Sequence, residues 1–306
     1  VLSFHQLGGN VGDQGYVPLP KWVWSRHRRD LQNLPKSDDM MFRSEQGYVS
    51  QEYVAFWATH VVLDDYRRFM HRFSVEFADY HDIIDEVVIS LGPAGELRYP
   101  SYNYHDQNAG YPTGGSLQAY SRPALNSFRQ FILRKHTSLA EAAVAWQTQL
   151  LTENDIQLPD TKNIQPFSNY YRDFFDWYNE TLIQHGQSVL YEAETVFGSS
   201  DSVFRHIPLG AKLPGIHWRV ATDRLAELTA GVIRTSYLDW RHPTSGYGYM
   251  DTLRAFQSPS GRKFTLHFTA LEMNDNRDAA WIGSLAKTLV RWIAESARQK
   301  GFAIKG

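Results

Sequence analysis

Apolar positions along this chain fall into two alternating patterns: short strand-like runs and longer stretches with helical spacing. Leu2 to His5 reads as a strand end and runs into a glycine-rich loop, Gly8-Gly9-Asn10-Val11-Gly12-Asp13. From about Gln51 to Tyr80 the spacing predicts a helix, with Phe69, Phe73 and Phe77 four residues apart. Glu86-Val87-Val88-Ile89-Ser90-Leu91 predicts a buried strand and stops at Gly92-Pro93. Residues 97–121 carry Tyr99, Pro100, Tyr102, Tyr104, Tyr111, Pro112 and two adjacent glycines, so a long irregular loop is expected; such loops in compact domains usually serve function. Arg122-Pro123 opens a helix with Leu125, Phe128 and Ile132 on its apolar face.

Another helix is expected over Tyr171 to Phe197, with Phe174, Tyr178 and Leu182 on one stripe. Ile207 to Trp218 contains a strand, best over Leu213 to Trp218, and Ala221 to Gly231 reads as a loop and short helix. Phe264 to Phe268 alternates apolar and polar residues and continues through Thr269-Ala270-Leu271-Glu272-Met273. The last helix is expected over Ala286 to Lys300, with Leu289, Trp292, Ile293 and Ala297 inward and Gly301 as its stop; Phe302-Ala303-Ile304 then looks like a strand.

Strand, loop and helix in repetition is the βαβ pattern of a parallel sheet. No GxGxxG follows a first strand, which argues against a dinucleotide fold. The distinctive residues sit just after the strands, which in a (β/α)8 barrel is the catalytic face. About four strands are clear, so an eight-stranded barrel requires strands that the pattern does not reveal and others beyond the ends. Val1 is not an initiator Met, and both ends lie in apolar runs; a barrel incomplete at both ends is the expectation. Without an internal repeat or a linker, residues 1–306 read as one domain.

Charge adds exclusions. With 31 Lys and Arg against 33 Asp and Glu the net charge is −2, so nothing favours nucleic acid or an anionic membrane. The basic run Arg26-His27-Arg28-Arg29 reads as a solvated face. The absence of cysteine excludes disulfides, thiolate nucleophiles and Cys-ligated metals. The 9 Trp, 17 Tyr and 17 Phe change the picture more, because several lie in Gly- and Pro-rich segments, where aromatic rings can stack on sugar faces.

Four constellations could carry chemistry. In Leu91-Gly92-Pro93-Ala94-Gly95-Glu96-Leu97-Arg98-Tyr99-Pro100-Ser101-Tyr102 a Gly/Pro turn holds a carboxylate at a strand's C-terminal end among aromatics. Apolar surroundings would raise the pKa of Glu96, as suits a general acid, whereas Arg98 would oppose this if it reached the carboxylate. The alternative is a loop carboxylate paired with Arg98. Glu272, with Asp275, ends another strand and could face Glu96 across a cleft, or be structural. Lys212, His217 and Trp218 form a group able to bind hydroxyls and stack a sugar. His5 and the loop ending in Asp13 lack the Lys-Ser/Thr of a P-loop and fit a lid better. GxSxG and HExxH are absent, and Glu192/Glu194 and Asp38/Asp39 read as solvated surface.

At these residues the sequence resembles the β-amylases, exo-acting α-1,4-glucan hydrolases, and most of all their bacterial branch. The resemblance rests on Phe4-His5-Gln6 with Gly8 to Asp13, Gly92 to Tyr102, Gly215-Ile216-His217-Trp218, Ala226 to Gly231 and Phe268 to Met273, in the family's order along the whole chain. It implies a (β/α)8 barrel and inverting hydrolysis that releases β-maltose from non-reducing ends. Glu96 matches the family's general acid, His5 and Asp13 match glucose-binding residues, and Lys212, His217 and Thr269 match further substrate contacts. Glu272 matches an inner-loop residue rather than the base. The family's base follows a run matched by Lys300 to Gly306, so it is expected one residue past Gly306, and this stretch alone is expected to be inactive. Ala270 and Arg224 depart from residues common in the family. The resemblance further implies starch, glycogen or maltooligosaccharide as substrate, secretion, a monomer and no required cofactor. Some bacterial members hold a structural calcium; Asp65 is the candidate ligand here, but Arg68 stands where an acidic partner is expected. Two rival readings remain: a non-catalytic glucan-binding barrel, and a retaining glycosidase using Glu96 with Glu272.

Overall fold

Five strands form one parallel sheet whose neighbours follow chain order: β1 (Leu2–Ser3), β4 (Val87–Ile89), β5 (Leu209–Leu213), β6 (Thr265–Phe268) and β9 (Ile304–Lys305). A switch-point α/β sheet would reverse that order, whereas sequential parallel neighbours are the barrel arrangement. The computed structural model of the protein describes residues 2–3, 17–27, 37–102, 106, 112–165, 168–234, 248–271, 273–276 and 283–306. Outside the sheet lie two antiparallel pairs, β2 (Met41–Arg43) with β3 (Val49–Val54), and β7 (Asp275–Asn276) with β8 (Ser284–Leu285).

Side chains alternate across each strand. Val87 and Ile89, Leu209, Ala211 and Leu213, and Leu266 and Phe268 join the main hydrophobic core, beneath the helices. Gly210, Lys212, His267 and Thr269 lie on the opposite register, and Glu86, fully buried, accepts from His267 Nε2 at 3.1 Å and Lys305 Nζ at 2.8 Å.

The helices are α1 (Lys21–His27), α2 (Thr59–Glu76), α3 (Arg122–His136), α4 (Leu139–Trp146), α5 (Asn169–Phe197), α6 (Leu225–Thr229) and α7 (Ala286–Lys300). Helix α3 starts where Ser121 Oγ accepts from the Ala124 N–H, has Pro123 in its first turn, and ends on Arg134, Lys135 and His136, which suit the helix dipole. Helix α7 ends at Gly301, whose φ of 69° permits the left-handed cap. Helix α5 is the spine of the molecule: Phe174, Tyr178 and Leu182 are fully buried on it, as their spacing predicts.

The structure corrects several expectations. Residues 49–54 are not the start of a helix; they pair with Met41–Arg43, and the helix begins only at Thr59. Its buried side is set by Val62 and Met70; of the phenylalanines, Phe69 and Phe77 are 56% and 39% exposed, whereas Phe73 is half-buried against Phe197 and Phe204. Strand β5 is Leu209–Leu213 rather than Leu213–Trp218, because the chain leaves the sheet at Pro214-Gly215. Strand β6 stops at Phe268. Helices α1 and α4 were not foreseen. Asp39 and Glu192 are buried rather than solvated, paired with Arg122 at 2.8 Å and Arg67 at 2.5 Å.

Candidate active site

The segment after β4 is built around close backbone approaches. A Cβ on Gly92 would lie 2.6 Å from the Glu96 carbonyl oxygen, so only glycine fits. Ala94 and Gly95 take φ of 54° and 80°, which turns the chain sharply. The Glu96 N–H donates to the Pro93 carbonyl at 2.9 Å, and the Leu97 N–H donates to the Lys212 carbonyl at 2.9 Å. This fixes Glu96 at the C-terminal rim of β4, bridged to Lys212 on β5.

Both carboxylate oxygens of Glu96 are engaged. Thr269 Oγ1 donates to Oε1 at 2.8 Å, and Arg98 Nε donates to Oε2 at 2.7 Å. The Gly215 N–H donates to Thr269 Oγ1 at 2.8 Å, which links the segments after β4, β5 and β6 in one chain of hydrogen bonds. Gly215 is required there, since a Cβ would fall 2.2 Å from that of Ala270. The Arg98 side chain is only 2% exposed and its guanidinium lies 4.3 Å from the Tyr102 ring centroid. Tyr102 in turn meets Trp218 edge-on, with centroids 5.2 Å apart.

His217 lies on the segment after β5. Its Nδ1 is 2.8 Å from Ser284 Oγ, its carbonyl accepts from the Leu285 N–H at 2.8 Å, and burial lowers its pKa, so the ring is neutral at neutral pH. Trp218 is 5% exposed and donates through Nε1 to the Thr113 carbonyl at 2.8 Å. It is therefore packing beneath Tyr102 rather than an open sugar platform.

Of the residues singled out in the sequence, Glu96, Lys212 and Thr269 come together, with His217 on the adjoining segment. His5, Asp13 and Glu272 lie outside the described residues. Ser284, which holds the His217 ring, was missed; a serine ahead of a helix gives no local signal of that contact. Asp65 accepts from Arg26 at 2.9 Å, and Arg68 faces Asp64 at 3.9 Å. No group of three or more metal-binding side chains occurs among the described residues.

A carboxyl group at the C-terminal rim of a parallel barrel sheet, bonded to a hydroxyl and a guanidinium, is suited to acid catalysis on a polyhydroxyl substrate. The sequence matches the model of Glycosyl hydrolase family 14 over residues 1–306. The chain belongs to glycosyl hydrolase family 14. It is 36% identical over 315 residues to a beta-amylase of Bacillus cereus, covering all of this chain and 52% of that protein. It is 33% identical over 317 residues to the thermophilic beta-amylase of Thermoanaerobacterium thermosulfurigenes, covering all of this chain and 51% of the relative. The chain thus spans about half the length of the curated relatives it matches. The solved catalytic domain of the Paenibacillus polymyxa beta-amylase superposes with a TM-score of 0.77 at 31% identity, covering 98% of this chain and 66% of that one. The fold is accordingly that of the family 14 catalytic barrel, of which this chain supplies part.

Proposed function

We propose that the full-length protein is a secreted β-amylase that hydrolyses α-1,4-glucosidic bonds of starch and related glucans with inversion, releasing β-maltose. Glu96 is the general acid in this reading and protonates the departing glycosidic oxygen. The opposing base activates a water on the other face of the sugar, and the family resemblance assigns that base to the residue after Gly306. Inverting enzymes keep the two carboxyls about 6.5–9.5 Å apart to admit that water. Lys212, His217 and Thr269 bind the substrate's hydroxyls, together with His5 and Asp13.

The observation that carries this reading is the placement of Glu96: a carboxyl at the strand rim, bonded by the Thr269 hydroxyl and the Arg98 guanidinium. A hydroxyl both donates and accepts, so the Thr269 contact suits either protonation state of Glu96. In the full-length protein, Glu96→Gln is expected to lower kcat by at least about 10²-fold while maltose binding persists, as for loss of a general acid. Retention of most activity would reject the assignment. NMR of freshly released maltose should give the β anomer; the α anomer would instead favour a retaining mechanism, and a missing activity in the wild type a glucan-binding barrel.

A further inference from the structure

We propose that Arg98 is the positioning residue of the acid: it fixes which oxygen of Glu96 carries the proton and receives the negative charge left when that proton departs. The inference rests on the reading of Glu96 as the acid. Arg98 Nε occupies Oε2 at 2.7 Å, and a guanidinium only donates, so a proton on Oε2 would face an N–H head-on. The proton is therefore held on Oε1, the oxygen 2.8 Å from Thr269 Oγ1. When substrate is bound, the Oε1–H bond breaks and a new O–H bond forms on the glycosidic oxygen. The C1–O bond breaks and its electron pair stays with the departing sugar's oxygen; water attacks C1 and gives up one proton to the opposing base, and Glu96 is left as a carboxylate.

That carboxylate is where Arg98 acts. Before transfer it faces a neutral acid; as transfer proceeds it faces growing negative charge, so its attraction is greater in the transition state than in the ground state. The guanidinium is pre-set for this. It is almost fully buried, stacked over Tyr102 at 4.3 Å, and Tyr102 is backed by Trp218, so Arg98 needs no rearrangement. Among the described residues, the tyrosines facing the pair are Tyr102 and Tyr53 on β3; both are buried with pKa values pushed up by desolvation and stay neutral, and Arg98 is the cation hydrogen-bonded to Glu96.

The test is the pH profile and the leaving-group dependence of full-length Arg98→Gln. The alkaline limb of kcat/KM reports the acid and should move up by about one pH unit or more, the scale for a carboxyl that loses a guanidinium partner. Hydrolysis of maltopentaose should fall at least about tenfold more than hydrolysis of 4-nitrophenyl α-maltoside, whose phenolate leaves with little need of a proton. Arg98→Lys keeps a cation and should give a limb between the two, and it carries the test if the Gln variant does not fold. An unmoved alkaline limb, or equal losses on both substrates, would overturn the proposal and make Arg98 a packing residue. Failure of the Glu96 reading is separately visible, because Glu96→Gln would then stay active.

Discussion

Thr269 Oγ1 lies 2.8 Å from Glu96 Oε1, across 173 residues of sequence, and is itself held by the Gly215 N–H. A threonine just past one strand thus orients a carboxyl just past another.

Thr269→Val keeps the shape and removes that hydroxyl. Thr269 is exposed, so the fold should be unaffected, whereas kcat of the full-length protein should fall roughly tenfold, the worth of one well-placed hydrogen bond. Steady-state kinetics alongside a melting curve checks both halves; an unchanged kcat would remove Thr269 from the site.

Gly92→Ala forces a Cβ to within 2.6 Å of the Glu96 carbonyl oxygen, which is backbone and cannot swing away. Relief requires the turn to open. The expected cost is about 1–3 kcal/mol of stability, with loss of activity because Glu96 moves with the turn. Denaturant unfolding and kcat measured on the same preparation decide it.

His185 is buried, stacked on Phe56 at 4.1 Å, with Nε2 2.7 Å from the Leu91 carbonyl, and burial lowers its pKa from 6.5 to about 4. The unfolded chain therefore binds the extra proton first. Stability from this group is complete above pH 6.5 and is lost as pH falls from 6.5 towards 4, by roughly 3 kcal/mol in all. His185→Gln should be less stable at neutral pH, yet lose less stability than wild type across that window. Urea denaturation at several pH values tests it; parallel slopes would refute it.

Arg224 binds Glu227 through Nε and Nη2 at 2.7 and 2.9 Å, both side chains buried, and Tyr249 donates to the same carboxylate at 2.5 Å. Arg224→Met leaves a buried carboxylate without its cation and should cost about 3–5 kcal/mol, against about 1–2 kcal/mol for Tyr249→Phe. A reversed order in urea midpoints would mean that the ion pair is not the main fastening of α6.

Much of the barrel was legible locally. The β-branched run ending at Gly92-Pro93, the α5 stripe of Phe174, Tyr178 and Leu182, and helix α7 with its stop at Gly301 all rest on short-range effects: burial periodicity and the left-handed freedom of glycine. Glu96 was legible for the same reason, since the residues that shape its turn are its own neighbours. The rest depended on partners far along the chain. Gln51 to Val54 have no strong local bias against a helix, and pairing with Met41–Arg43 made them a strand. Glu192 looked solvated until Arg67, 125 residues away, closed over it. The sequence by itself determined a carboxylate in a rigid turn within a parallel α/β chain. Only the tertiary structure decided what surrounds that carboxylate, because Thr269 reaches it from a neighbouring strand's end, and sheet register is set by burial over the whole core.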